Sequence, residues 1–402
     1  MAVDPLTWRV YVGDRAGNRL FAFYDHLLIG ACRNIRLAPP VTSATGINPA
    51  GISVGDFNND GALDVAVTNP ETISGLPGTV GMHLGQGNGH LSLPLANQVA
   101  KGPGAVVSSD LNGDHKLDLV VANHHSGDYA HPSNVSVLLG NGNGTFGPVA
   151  SYEVGYGPNA ITVGDFNGDG RPDLAVTNSG IGNKVSVLLG YGGGMFWPAV
   201  HYYSGTQPTD VVTADFNRDG KLDLVTSNWG PSDDNGSLVL MPGAGDGTFP
   251  TRTYLGAFSK PVRLITGDFN RDGNPDLAVT DSYSNFARVL LGRGDGTFTE
   301  GPSFQGSPTA LGDFNADGRP DLAGVYGANA ALWLGNGDGT FDLLGPFWAG
   351  ERLGALTAAD FNADGRPDLA VINRPAMQDT PGAVSVLLHR CTQNICLPMI
   401  IR

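Results

Sequence analysis

A nine-residue phrase, Asp-x-Asn-x-Asp-Gly-x-x-Asp, returns seven times along this chain and constrains both its architecture and its chemistry. The copies are DFNNDGALD at Asp56, DLNGDHKLD at Asp110, DFNGDGRPD at Asp165, DFNRDGKLD at Asp215, DFNRDGNPD at Asp268, and DFNADGRPD at both Asp313 and Asp360. Successive copies lie 54, 55, 50, 53, 45 and 47 residues apart. A period near fifty, kept over seven copies, marks one supersecondary unit stacked upon itself. The 402 residues would suffice for two or three ordinary domains, but a repeat running from about residue 46 to 390 calls for one closed domain built of modules.

Each unit reads as four short strands. In the third, Ile161-Thr162-Val163 leads into the acidic phrase, and Leu174-Ala175-Val176-Thr177 follows it. After a polar stretch comes Val185-Ser186-Val187-Leu188-Leu189, then a Gly-rich turn at 190–196, then Ala199-Val200-His201-Tyr202-Tyr203. Short β-branched runs divided by turn residues are strands, and no segment keeps a helical period. The fold class is therefore all-β: a seven-bladed β-propeller of four-stranded antiparallel blades, with an acidic loop in each.

Closure needs help from the N-terminus. The seventh unit has second and third strands at Leu369–Ile372 and Val384–Leu388, but His389-Arg390-Cys391-Thr392 stands where the Gly-rich turn and fourth strand belong. Residues 33 to 45 occupy the fourth-strand position just ahead of the first unit. The division is thus 1–45, N-terminal strands that close or decorate the last blade, and 46–402, the repeats. A further hairpin is expected upstream, from Arg9–Val12 and Leu20–Tyr24 around Asp14–Gly17.

Oxygen ligands at loop positions 1, 3 and 5 and a backbone carbonyl at 7 suit a hard cation that takes six to eight oxygens. The first loop offers Asp56, Asn58, Asp60, the carbonyl of Ala62, and Asp64 at position 9; the second Asp110, Asn112, Asp114, Lys116 and Asp118. The third offers Asp165, Asn167, Asp169, Arg171 and Asp173; the fourth Asp215, Asn217, Asp219, Lys221 and Asp223. The remaining three offer Asp268, Asn270, Asp272, Asn274 and Asp276; Asp313, Asn315, Asp317, Arg319 and Asp321; and Asp360, Asn362, Asp364, Arg366 and Asp368. Up to seven structural Ca2+ ions are expected, magnesium being disfavoured by its stricter octahedral demand.

An EF-hand would carry Glu at position 12 between helices, whereas this chain has Val67, Val121, Val176, Thr226, Val279, Gly324 and Val371 there. Asp at position 9 takes the closing role instead. Position 6 is Gly in six copies, which permits a positive φ, while His115 in the second predicts a strained or altered loop. The competing reading, that Asp, Asn and Gly merely make good turns, weakens with every copy.

Charge points the same way. The chain carries a formal −15, and the seven phrases hold 21 of its 38 acidic residues. Divalent ions in all seven would bring it near neutrality, so the acidity reads as a metal inventory and leaves no basic surface for nucleic acid. No apolar run is long enough to cross a membrane, and no secretory leader is visible. Cys32, Cys391 and Cys396 admit a bridge between the ends, a local Cys391–Cys396 loop, or free thiols.

The Asp-Phe-Asn-x-Asp-Gly phrase and the Gly-x-Gly-Asp-Gly-Thr-Phe turn at 243–249, 292–298 and 335–341 resemble the FG-GAP or VCBS repeats of integrin α-subunits and of many secreted bacterial and fungal proteins. The resemblance covers residues 46 to 390. It implies a seven-bladed propeller with calcium loops between the first and second strands of a blade. It implies no single function, because the fold hosts adhesion proteins, lectins and some lyases.

The acidic loop and the Gly-rich turn fall on one rim of such a disc, and the second-to-third-strand loops on the other. Those loops vary most in length, and variable loops on a rigid scaffold are where binding residues gather. One carries His124, His125, Asp128, Tyr129 and His131; another carries Trp229, Asp233 and Asp234. Aromatics beside carboxylates suit a sugar ring, although ordinary solvated loop residues would read the same.

Arg293-Gly294-Asp295 occupies a repeated turn and carries no adhesive meaning by itself. The sequons at Asn134, Asn143 and Asn235 matter only in a secretory host. No nucleophile elbow, zincin helix, phosphate loop or dinucleotide fingerprint stands in its required context. The sequence therefore predicts a non-enzymatic, extracellular or cell-surface recognition module for a glycan or protein. Its rivals are a self-assembling subunit of a surface layer or filament, and a polysaccharide lyase on the same fold.

Overall fold

The computed structural model describes residues 35–70, 77–124, 132–230, 236–377 and 380–391, and the backbone of Ala2–Asp4, Arg9–Gly13 and Leu20–Ala22. Seven four-stranded antiparallel sheets make up the propeller. In the third blade the strands are Pro158–Gly164, Asp173–Asn178, Lys184–Leu188 and Val200–Tyr203, paired in that order.

Exposure grades across each blade and explains the composition of its strands. Second strands such as Asp173–Asn178 are buried along their whole length, which is why they read as unbroken runs of Leu, Ala and Val. Fourth strands such as Val200–Tyr203 are largely exposed and form the outer wall. First strands of neighbouring blades contact one another around the axis; there, Ser53 Oγ donates to Ser108 Oγ at 3.0 Å.

The core is divided among the blade interfaces. Seven apolar clusters each join two adjacent blades, including Val120, Val135 and Leu174 between the second and third, and Val67, Phe361 and Ile372 between the first and seventh. No single blade could bury its apolar faces alone.

The last blade, Leu353–Ala359, Asp368–Asn373 and Pro381–Leu387, takes its outer strand from Val41–Ile47, with Val41 opposite Val386 and Ala44 opposite Ala383. That strand crosses the boundary drawn at residue 45. A second pairing joins Ile35–Leu37 to His389–Cys391, the segment that replaces the Gly-rich turn. The strands Ala2–Asp4, Arg9–Gly13 and Leu20–Ala22 form a separate three-stranded sheet, so the upstream hairpin does not complete the blade; its expected turn, 14–17, lies outside the described residues. Cys391 is disulfide-bonded, which removes the free-thiol reading for that residue. Cys32 and Cys396 lie outside the described residues.

Candidate metal loops and the variable rim

The acidic loop is organised by its own side chains. In the third blade, Asp165 Oδ1 accepts the amides of Gly168 and Asp169 at 2.7 and 3.1 Å, and Oδ2 accepts that of Gly170 at 2.8 Å. Asn167 Oδ1 accepts the Asp169 amide at 3.0 Å, and Asp169 Oδ1 accepts the Arg171 amide at 2.9 Å. These turns gather the oxygens of positions 1, 3 and 5 on one short loop. His115 departs from Gly in identity but not in geometry: its φ is 64°, and its amide reaches Asp110 Oδ2 at 2.9 Å as the glycines do. The second loop is therefore strained rather than altered.

Position 9 holds the most constrained carboxylate. Asp173 is wholly buried; its Oδ2 accepts the Phe166 amide at 2.8 Å and its Oδ1 the Gly190 amide at 2.7 Å. The same pair of bonds, to residue 2 of the loop and to the start of the Gly-rich turn or its replacement, recurs at Asp64, Asp118, Asp223, Asp276, Asp321 and Asp368. Each bond uses one lone pair of an oxygen that has two. Position 9 is thus first a pin that fixes the acidic loop and the Gly-rich turn on one rim.

Burial pushes these carboxyls up, to about 6 at Asp64, Asp173 and Asp223 and to about 7 at Asp276, Asp321 and Asp368; their amide bonds work against the rise and neighbouring loop aspartates add to it. Asp118 moves the same way. Such a group is better off neutralised, by a proton or by a cation.

Among the described residues no group of three or more His, Cys, Asp or Glu is arranged to hold a metal ion. The loop carboxylates are turned onto loop amides, and Lys116, Arg171, Lys221 and Arg319 stand 3.3, 3.4, 4.0 and 3.6 Å from the position-5 aspartates. The donor set nevertheless fits calcium by chemistry, since it is hard oxygen throughout and its buried position-9 carboxyl lacks a counter-charge.

The Gly-rich turn is a bearing between blades. Its third glycine adopts a positive φ, 82° at Gly247, and a methyl group there would lie 2.6 Å from Leu189 of the preceding blade. Gly247 also donates its amide to the carbonyl of Phe166 at 2.9 Å, and Phe249 meets Phe166 edge to face at 5.6 Å. Asp246, Asp295 and Asp338 each cap this turn through the following Thr. The aspartate of Arg293-Gly294-Asp295 is accordingly spent on local structure.

On the opposite rim, His125, Asp128, Tyr129, His131, Asp233, Asp234 and the Asn235 sequon lie outside the described residues. His124 is half-buried and lies against Gly157 of the next connection. Trp229 is exposed and carries Lys260 Nζ at 4.5 Å over its ring. Sequence reasoning missed Tyr283, which is 75% exposed, and Phe286, both on the neighbouring fifth blade.

It also missed Asp210 and Arg263, which share a position five residues ahead of their loops where the other blades have Gly51, Ala105, Ala160, Pro308 and Ala355. Asp210 accepts the Leu264 amide across the interface at 2.9 Å; burial raises its pKa against the pull of Arg263. Aligning the seven units and looking for the blade that breaks a small-residue column would have found this pair.

These features define a class of protein, the seven-bladed β-propeller with an acidic loop in every blade. A model of the FG-GAP-like repeat matches residues 110–176, 165–226, 228–279 and 313–371, together more than half of the chain, and the chain belongs to that family. No curated protein sequence matches it. Among solved structures, BBS1N in complex with ARL6DN, soaked with mercury, aligns at a TM-score of 0.59 and 12% identity over 90% of this chain and 98% of that one. Its lead-soaked counterpart aligns at 0.57 and 11% over the same shares. A functionally unknown protein from Desulfotomaculum acetoxidans DSM 771 aligns at 0.49 and 15%, over 75% of this chain and 91% of that one. For the two BBS1N structures the likeness, at these identities, is one of fold alone.

Proposed function

We infer that the chain is a non-catalytic recognition module, a disc tightened by calcium in its acidic loops that presents the opposite rim to a glycan or protein outside the cell. The observation that carries this reading is the exposed Trp229 with Lys260 over its ring, together with the exposed Tyr283 and Phe286 at the second-to-third-strand hairpin of the adjacent blade. Trp and Tyr are among the residues that most often dominate a binding surface. The BBS1N propeller, held in complex with ARL6DN, supports the idea that such a disc can seat a protein. Calcium fits the same setting, because loops of extracellular affinity fill only where calcium is near millimolar.

The test compares the wild type with a Trp229→Ala/Tyr283→Ala double variant on a glycan array, and by photocrosslinking from residue 286 in an extracellular-protein extract. A ligand or crosslink that the double variant loses, at unchanged melting temperature, is the expected result. Silence in both assays, or binding that the double variant retains, removes the reading.

A further inference from the structure

A second surface lies on the outer wall, on the side away from the variable rim. Between the fourth strand of the third blade, Val200–Tyr203, and the turn entering the fourth strand of the next, a groove of about 330 Å³ is lined by His201, Tyr202, Tyr203, Pro250, Thr251 and Arg252. Its volume is at the low end for ligand pockets, roughly 300 Å³.

Arg252 is the group that sets its chemistry. The guanidinium stands 4.8 Å over the ring of Tyr203, is exposed, and makes no ion pair with any described residue. The cation–π contact holds the guanidinium against the ring, and its N–H groups can give a carboxylate two parallel bonds.

The neutral groups beside it suit hydroxyls. His201 Nδ1 is engaged with Ser186 Oγ at 2.9 Å. Burial, then Lys184, holds the imidazole below its usual pKa against Glu153, so at neutral pH the ring is uncharged and Nε2 is left for a ligand. Thr251 adds an exposed hydroxyl. Tyr254, 59% exposed, lies two residues beyond Arg252 in the strand Thr253–Phe258. Asp246 also faces Tyr202, but its carboxylate is taken by Thr248. Arg252 is the one residue of fixed charge in the lining, while Lys184, opposite Tyr203 in register, and Glu153 flank it and act on His201; a single guanidinium fork beside aromatic faces and neutral hydrogen-bonding groups suits an acidic sugar.

We propose that this groove is a carbohydrate site for a uronic acid residue, its carboxylate held by the Arg252 fork and its hydroxyls by His201 Nε2 and Thr251 Oγ1. The site is independent of the rim, so either reading can fail without the other.

Isothermal titration of the full chain in calcium, with trigalacturonate, its methyl ester and triglutamate, tests it. The acid is expected to bind at least about tenfold more tightly than the ester, a difference of about 1.4 kcal/mol. Arg252→Gln should lose about the same factor, Arg252→Lys part of it, and the Trp229→Ala/Tyr283→Ala variant none. Melting temperatures of the Arg252 variants should match the wild type. Equal binding of acid and ester, an unaffected Arg252→Gln variant, equal competition by triglutamate, or no binding at millimolar trigalacturonate each overturns the assignment.

Discussion

Asp276 is buried, accepts two strong backbone hydrogen bonds, and yet sits beside Asp272 with burial pushing its pKa to about 7. The amides favour the charge while the surroundings oppose it, and burial wins. The unfolded value is near 3.8, so between about pH 4 and 7 the folded chain holds protons the unfolded chain has released. The stabilising contribution of these raised carboxyls is complete at low pH and is lost as the pH rises through about 6 to 7. Three histidines, His83, His201 and His389, are held neutral chiefly by burial and pull the other way below about pH 6.5, but seven carboxyls outnumber them. The calcium-free chain should therefore melt higher at about pH 5.5 than at pH 8, and calcium, taking the place of the proton, should shrink that difference. Calorimetry at both values, with and without calcium, decides the matter; an identical pH slope in the two conditions would count against cation binding at position 9.

At the scale of the element, glycine separates two kinds of constraint. Gly168 and Gly247 both have positive φ, 73° and 82°, but a methyl group on the first meets nothing within 4 Å, whereas on the second it meets Leu189 across the blade interface. Ala316 and Ala363 already occupy the position of Gly168 in other loops, with φ of 56° and 57°. Gly168→Ala should cost no more than about 1 kcal/mol of left-handed strain. Gly247→Ala should cost roughly 2–4 kcal/mol, the same strain plus overpacking. Urea unfolding midpoints check this, and equal losses would show that the interface yields freely. The repeat itself, the strands and the turn glycines could be read directly from residue spacing. The pinning role of the position-9 aspartates could not, because a ligand and a pin use the same letter. Nor could the Asp210–Arg263 pair or the Arg252 groove, since each joins neighbouring blades about fifty residues apart and becomes visible only when their register is known.

For the whole molecule, stability is spread around a ring whose interfaces are alike and whose loops each tie into the next blade. If every loop takes a calcium ion of extracellular affinity, millimolar calcium adds roughly 0.4–1.4 kcal/mol per site, and seven such terms approach the stability of an ordinary domain. Chelation with EGTA should lower the melting temperature by on the order of 10 °C. An unchanged curve, together with no bound metal by native mass spectrometry, would exclude structural calcium. The ring also has one seam unlike the others, where Thr42 Oγ1 meets Ser385 Oγ across 343 residues of sequence. During synthesis at about 5–20 residues per second, the strand Val41–Ile47 emerges on the order of 20–70 s before the strand it must pair with. In that interval it is an unpaired edge beside the nascent strands of neighbouring ribosomes on the same message. The fastening that makes the finished disc one closed body is thus also the point at which two unfinished chains can exchange strands and close each other's rings.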